Sequence, residues 1–419
     1  MTPLDRETAG AIADRLAERL ASPCDVRAME LRDAWWPQSL AVGAAGIALL
    51  HIERAHAGLG PWERVHEWLV VATADGVSAG KDAHLHYGAP ALAFALQAAS
   101  GGRGRYGRAL DVLDNHIDAE TSCRLAAAHT RMDVGELPLL AEFDAIRGLV
   151  GIGAYLRHRG PESRLLRDIL LYLVRLTEPV EVDGELLPGW WATVAPSGRL
   201  SDEFPGGHAN TGMAHGIAGP LALLALTAVD GVAVDGQLTA IARICAWLDR
   251  WRQDGGSASW WPYWITRAQL RGDEPVPSRP SRPSWCYGTG GVARAQQLAG
   301  LALGDDDRRQ IAENALLGAI TDQHQQGLIV DSSLCHGHAG LQQIAVRCAA
   351  DADVRMSASL VRPLLGLEPD AEHWVTHLVR PPGGRLGFLE GAAGVALALH
   401  TACSDSPPIS GWDSCLLIA

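Results

Sequence analysis

The stretch "GAAGIALLH", residues 43–51, returns almost letter for letter as "GAAGVALAL", residues 391–399. Two glycines three apart, followed by small and aliphatic residues, describe the start of a helix buried on every side. A surface helix would carry a polar face. Searching outward for the same pattern finds "GAPALAFAL" from Gly88, "GLVGIGAYL" from Gly148, "GIAGPLALLAL" from Gly216, "GTGGVARAQQL" from Gly288 and "GHAGLQQIA" from Gly337. Only the Gly88 copy lacks its second glycine, with Ala91 in that place. The seven copies start 45, 60, 68, 72, 49 and 54 residues apart. Each interval holds a further periodic segment, such as "LTAIARICAWLDRW" or "RRQIAENALLGAI". Each repeat is therefore a helix pair, and seven buried helices inside seven amphipathic ones make an all-α fold, an α/α toroid. Glycines suit helix starts that converge on an axis, where backbones crowd and the incoming chain takes unusual dihedrals.

Composition agrees with a large buried core. The 419 residues are 47% hydrophobic and 20% charged, with a net charge of −13. No basic stripe interleaved with aromatics is present, which argues against a nucleic-acid partner. The repeat runs the whole length, so residues 1–419 read as a single domain. The N-terminal segment, with Ile12, Leu16 and Leu20 at four-residue spacing among charges, reads as an amphipathic helix and not as a signal peptide. A cytoplasmic protein is expected. Residues 204–229 contain no Asp, Glu, Lys or Arg, but Pro205, His208, Asn210, His215 and Pro220 make them a loop and a buried helix, not a membrane span.

If the buried helices all begin at one end of the ring, the residues before each first glycine meet at one mouth: Val42, Tyr87, Arg147, His215, Tyr287, His336 and Glu390. At that level "SWCYGTGG" places Cys286 and "SLCHGHAG" places Cys335 and His336. Two cysteines and a histidine suit zinc, and three protein ligands leave one of its usual four positions open, as in catalytic sites. Two thiolates and a neutral imidazole make a neutral site at which a further thiol can ionise yet stay nucleophilic. The alternative is three separately buried polar residues. His338 is a rival ligand. The other cysteines fit no entrance position and read as core or surface residues.

His215 at the fourth entrance has the right ordinary pKa for proton transfer at neutral pH; the alternative is a satisfied core histidine. Asp144 in "EFDAIRGLVG" is placed to orient His215 or relay a proton, or else to cap a helix. Arg282 and Tyr287 flank Cys286 and suit hydrogen bonding to an anionic intermediate, although Arg282 serves equally as a cap. The tryptophan-rich loops "LPGWWATVAP" and "SASWWPYWIT" read either as a peptide groove or as packing under loops.

"NTGMAHGIAG", "SWCYGTGG" and "CHGHAG", in this order on a seven-copy glycine repeat that runs to the closing "GWDSCLLIA", resemble the lanthionine synthetase C-like family of lanthipeptide cyclases. The resemblance implies one zinc held by Cys286, Cys335 and His336, and catalytic roles for Asp144, His215, Arg282 and Tyr287. It implies a dehydrated precursor peptide with a leader as substrate, and thioether rings made by addition of peptide cysteine thiolates to dehydroalanine or dehydrobutyrine. It also implies that residues 1–419 form one catalytic domain with a small extension within residues 100–143, and a complex with a dehydratase and an exporter at the membrane face. Addition of glutathione to dehydro residues, and a non-catalytic zinc toroid that binds peptides, are the alternatives. Thr289 and Gly290 stand where a proline is expected in the step; this departure touches no proposed ligand.

Overall fold

Every glycine step opens a helix. The seven are α1 (Ala44–His56), α2 (Ala89–Ser100), α3 (Leu149–Arg159), α4 (Ala218–Val229), α5 (Thr289–Leu303), α6 (His338–Asp351) and α7 (Ala392–Cys403). The computed structural model describes residues 5–28, 35–102, 104–255, 258–360, 371–379, 385–404 and 406–419. Residues 1–4 of the N-terminal segment, Arg103 of the 100–143 stretch and Ser257 of the second tryptophan-rich loop lie outside the described residues.

The close approach that calls for glycine is specific. The second glycine of the step lies against the carbonyl six residues earlier, Gly46 against Leu40 and Gly340 against Leu334, and the relation recurs at Gly219, Gly291 and Gly394. A Cβ at Gly46 or Gly340 would overlap that oxygen. The incoming turn folds back across the first helical turn, so neither chain can move aside cheaply. In the same turns the first glycine donates its N–H to the carbonyl four residues back, Gly216 to Gly212 (3.0 Å) and Gly337 to Ser333 (3.1 Å).

Contacts divide the chain into two compact units, Met1–Ile117 with Val330–Ser414, and Asp118–Ile329 with Cys415–Ala419. In the first, α1 packs against Trp62–Thr73, α2 and α7, and α6 packs against α7. All residues of α1 from Ala44 to Ala55 are buried. The amphipathic partner of α7 is the N-terminal helix Arg6–Arg19, whose Ile12 and Leu16 are fully buried. Asp5 caps that helix by accepting from the Thr8 N–H at 2.7 Å. Two buried carboxylates are satisfied in place: Glu53 accepts from the Ile409 and Ser410 N–H groups (2.9 and 2.8 Å), and Asp413 accepts from Arg347 and Gln343.

In the second unit α3 packs on Arg164–Leu176, α4 on Gln237–Trp251 and α5 on Asp306–Thr321, while α4 and α5 pack on each other. Arg164–Leu176 buries Leu166, Ile169, Leu170, Leu173 and Leu176 at helical spacing, and Ser163 caps it through the Leu166 N–H (3.1 Å). Among the described residues, three short two-stranded antiparallel sheets occupy the loops. One pairs His208–Asn210 with Trp264–Thr266, in the register Asn210 opposite Trp264. It fixes the chain five residues before His215. Most of the 100–143 stretch is one long helix, Gly107–Asp133.

Candidate functional site

Asp144 ends the short helix Leu140–Phe143 and turns the chain into α3. Its Oδ1 accepts from the N–H groups of Ile146 (3.1 Å), Arg147 (2.6 Å) and Gly148 (2.9 Å), and its Oδ2 faces Nδ1 of His215 at 2.6 Å. The carboxylate thus ties down its own turn through Oδ1 and faces the histidine through Oδ2. Asp144 is 1% exposed, whereas the His215 side chain is 30% exposed, so the buried partner holds the accessible one. With Nδ1–H donated to Asp144, Nε2 is the nitrogen left for proton transfer.

The turn carrying His215 is braced from two sides. The Ala145 N–H donates to Ala214 O (3.0 Å), and Ala214 N–H donates to Cys286 O (3.3 Å). Asn210, buried, accepts from the Gly212 N–H through Oδ1 (2.9 Å) and donates through Nδ2 to the Tyr287 hydroxyl (3.3 Å). The Tyr287 ring lies 6.3 Å from that of His215 and 5.3 Å from that of Tyr263. Tyr263 donates its hydroxyl to the Arg282 carbonyl (2.8 Å), and burial pushes its phenol up to about 12. The Nε of Arg282 is buried without a hydrogen-bond partner. A buried donor left open in this way suits an incoming acceptor. Cys286 is buried, with Ser284 Oγ 3.6 Å from its sulfur, and Ser284 also donates to Tyr287 O (2.7 Å).

The sixth entrance is built on its own carboxylate. Cys335 N–H donates to Leu389 O (2.8 Å), and His336 N–H donates to Ser333 Oγ (3.2 Å), which holds both residues on one short turn. Nε2 of His336 lies 3.0 Å from Asp331 Oδ2, and Asp331 Oδ1 accepts from the Ser333 N–H (2.8 Å). Burial opposes ionisation of Asp331, yet the hydrogen bonds from His336 and Ser333 hold its carboxyl well below the ordinary range. The rival ligand His338 turns Nδ1 to the Asp331 carbonyl at 3.2 Å. Neither Asp331 nor Ser284 stands out in the sequence, and Asn210 does so only as a polar residue in an uncharged stretch. The Asp-x-Ser spacing of an Asx turn, five residues before His336, is the signal that marks Asp331.

Trp190, Trp191, Trp260 and Trp261 are each no more than 3% exposed, so they pack under their loops. A groove lined by these four is excluded; Trp264, half-buried, stands 6.1 Å from Tyr287. Cys245 and Cys348 are buried and Cys24 and Cys123 exposed, as expected for cysteines away from the entrances.

Residues 34–417 match the family described as lanthionine synthetase C-like protein. The chain belongs to that family. It is 29% identical over 207 residues to the nisin biosynthesis protein NisC of Lactococcus lactis subsp. lactis, a match that covers 48% of this chain and 48% of that one. The chain thus spans about half the length of the curated relative it matches. The solved structure of nisin cyclase superposes with a TM-score of 0.76 at 22% identity, over 96% of this chain and 97% of the other. At that identity the likeness speaks for the fold, and the α/α toroid expected from the glycine repeat is the fold the two share. Among the described residues no helix is long and apolar enough to cross a membrane.

Proposed function

We propose that this protein is a zinc-dependent lanthipeptide cyclase that closes thioether rings by adding a cysteine thiolate of a dehydrated precursor peptide to a dehydroalanine or dehydrobutyrine of the same peptide. The observation that carries the reading is the Asp144–His215 pair, an accessible imidazole held at 2.6 Å by a buried carboxylate in a member of this family. The proposed metal ligands are Cys286, Cys335 and His336, each offering one ligand atom. Two sulfurs and one nitrogen fit zinc and leave one of four positions unfilled. Bound there, zinc supplies a place at which a peptide thiol ionises near neutral pH.

The remaining steps belong to the protein's own side chains. As an imidazolium, His215 delivers a proton from Nε2 to the α-carbon of the enolate formed when the C–S bond closes. Asp144 holds that ring in one tautomer and balances its charge, or takes the thiol proton through it. Tyr287 and Arg282 donate to the enolate oxygen; the open Nε of Arg282 favours this role over a helix cap. The whole chain is proposed to act as one catalytic domain, with residues 100–143 as its small extension. A precursor peptide with its leader, and a cytoplasmic complex with a dehydratase and an exporter, complete the proposal.

Incubation with a dehydrated peptide tests it. Cyclisation consumes free thiol without changing mass, addition of glutathione raises the mass, and mere binding does neither. Metal analysis runs beside it: one zinc in the native chain, lost in Cys335→Ala, is the expected result. No zinc in carefully prepared native protein would overturn the reading.

A further inference from the structure

Two helix entrances present an imidazole to a carboxylate, but through opposite nitrogens. His215 faces Asp144 with Nδ1, and His336 faces Asp331 with Nε2. An imidazole whose Nε2–H is given to a carboxylate keeps only Nδ1 for a metal ion. We infer that Asp331 is a positioning residue for the metal centre: it fixes the tautomer and ring angle of His336 so that Nδ1 is the ligand, an assignment that rests on the zinc reading above. Ligating histidines commonly give their second nitrogen to such a carboxylate, which orients the ring and raises its basicity.

Asp331 also separates the two histidines of "CHGH". Its side chain takes His336 at 3.0 Å, while its main-chain oxygen takes both the N–H of His338 (3.2 Å) and Nδ1 of His338 (3.2 Å). One residue thus turns the first histidine toward a ligand role and the second away from it. The carboxylate is held by its own turn: Ser333 N–H donates to Oδ1 at 2.8 Å, and a Cβ on Gly337 would overlap that same oxygen.

The test compares the full native chain with Asp331→Asn, Asp331→Ala and His338→Ala. Zinc affinity is read by competition with a chromophoric chelator, ligand geometry by the visible spectrum of the cobalt-substituted protein, and fold by thermal unfolding of the metal-free chain. Asparagine can still accept from the Ser333 N–H, so metal-free Asp331→Asn should melt as the native chain does, with a changed cobalt spectrum and zinc bound roughly 10- to 100-fold more weakly. His338→Ala should bind zinc as the native chain does. Native-like affinity and spectrum in Asp331→Asn would overturn the inference and leave the zinc reading standing. So would a loss of affinity matched by lost stability of the metal-free chain, which marks a purely structural role. A native chain that binds no zinc would remove both.

Discussion

Asp144 Oδ2 and His215 Nδ1 meet at 2.6 Å across 71 residues of sequence. The carboxylate is fixed by three N–H groups of its own turn before the histidine reaches it. The ring is therefore the adaptable partner and the acid the reference point.

His215→Ala should lower the cyclisation rate by roughly 10²- to 10⁴-fold, the usual worth of a positioned general acid, while zinc content stays at one per chain. Loss of zinc in this variant would place His215 among the ligands instead. Asp144→Asn should keep zinc as well and lower the rate less than His215→Ala does. Thiol consumption and metal analysis on the same samples decide both points.

Stability should fall in mild acid because of His51. Burial pushes its pKa down to about 4 from an ordinary 6.5, with Arg64 and Arg54 nearby acting in the same sense, and the neutral ring donates through Nε2 to Leu20 O at 2.8 Å. The unfolded chain therefore takes up a proton between these two values that the folded chain refuses. The contribution is whole above pH 6.5 and drains away as pH falls toward 4, by about 3 kcal/mol at the low end. Urea unfolding at pH 7.5 and 4.5 measures it, and His51→Gln should flatten the difference.

Gly340→Ala should destabilise by about 1–3 kcal/mol, the range for forced overpacking, because the new Cβ overlaps Leu334 O. Gly107→Ala, where a Cβ meets open space at the start of a helix, should stay within about 0.5 kcal/mol of the native chain. Equal effects at the two sites would refute the close-approach account of the repeat.

Thiol labelling should sort the cysteines by burial. Cys123 and Cys24 are exposed, whereas burial raises the Cys245 thiol to about 12. Only the thiolate attacks an alkylating reagent. At pH 8 iodoacetamide should modify Cys123 and Cys24 within minutes and leave Cys245 intact until the chain unfolds, as peptide mass mapping will show.

The repeat was legible because small residues at helix starts are a local signal. The pairing of Arg6–Arg19 with α7 was not: its amphipathic face is plain in Ile12 and Leu16, but nothing local says which helix covers it. Cysteine and histidine announce metal chemistry by type alone, so Cys286, Cys335 and His336 stood out. Asp331 did not, because a lone aspartate before two serines reads as a turn residue, and its second task needs the folded turn to be seen. The tryptophans show the reverse limit. Trp190 and Trp261 spend their N–H groups and ring faces inside the protein, or bury them outright, and aromatic type does not reveal on which side of a loop a ring lies.

Trp285, next to Cys286, donates its indole N–H to Leu416 O at 2.8 Å, and Arg294 in α5 donates to Ile418 O at 2.9 Å. The fifth entrance is thus braced by residues made 131 positions later. During synthesis on the ribosome, earlier segments can settle as they emerge, but the turn bearing Cys286 must wait for residue 416 to clear the exit tunnel. Assembly of that entrance therefore depends on residues 416 and 418, however early its own turn emerges.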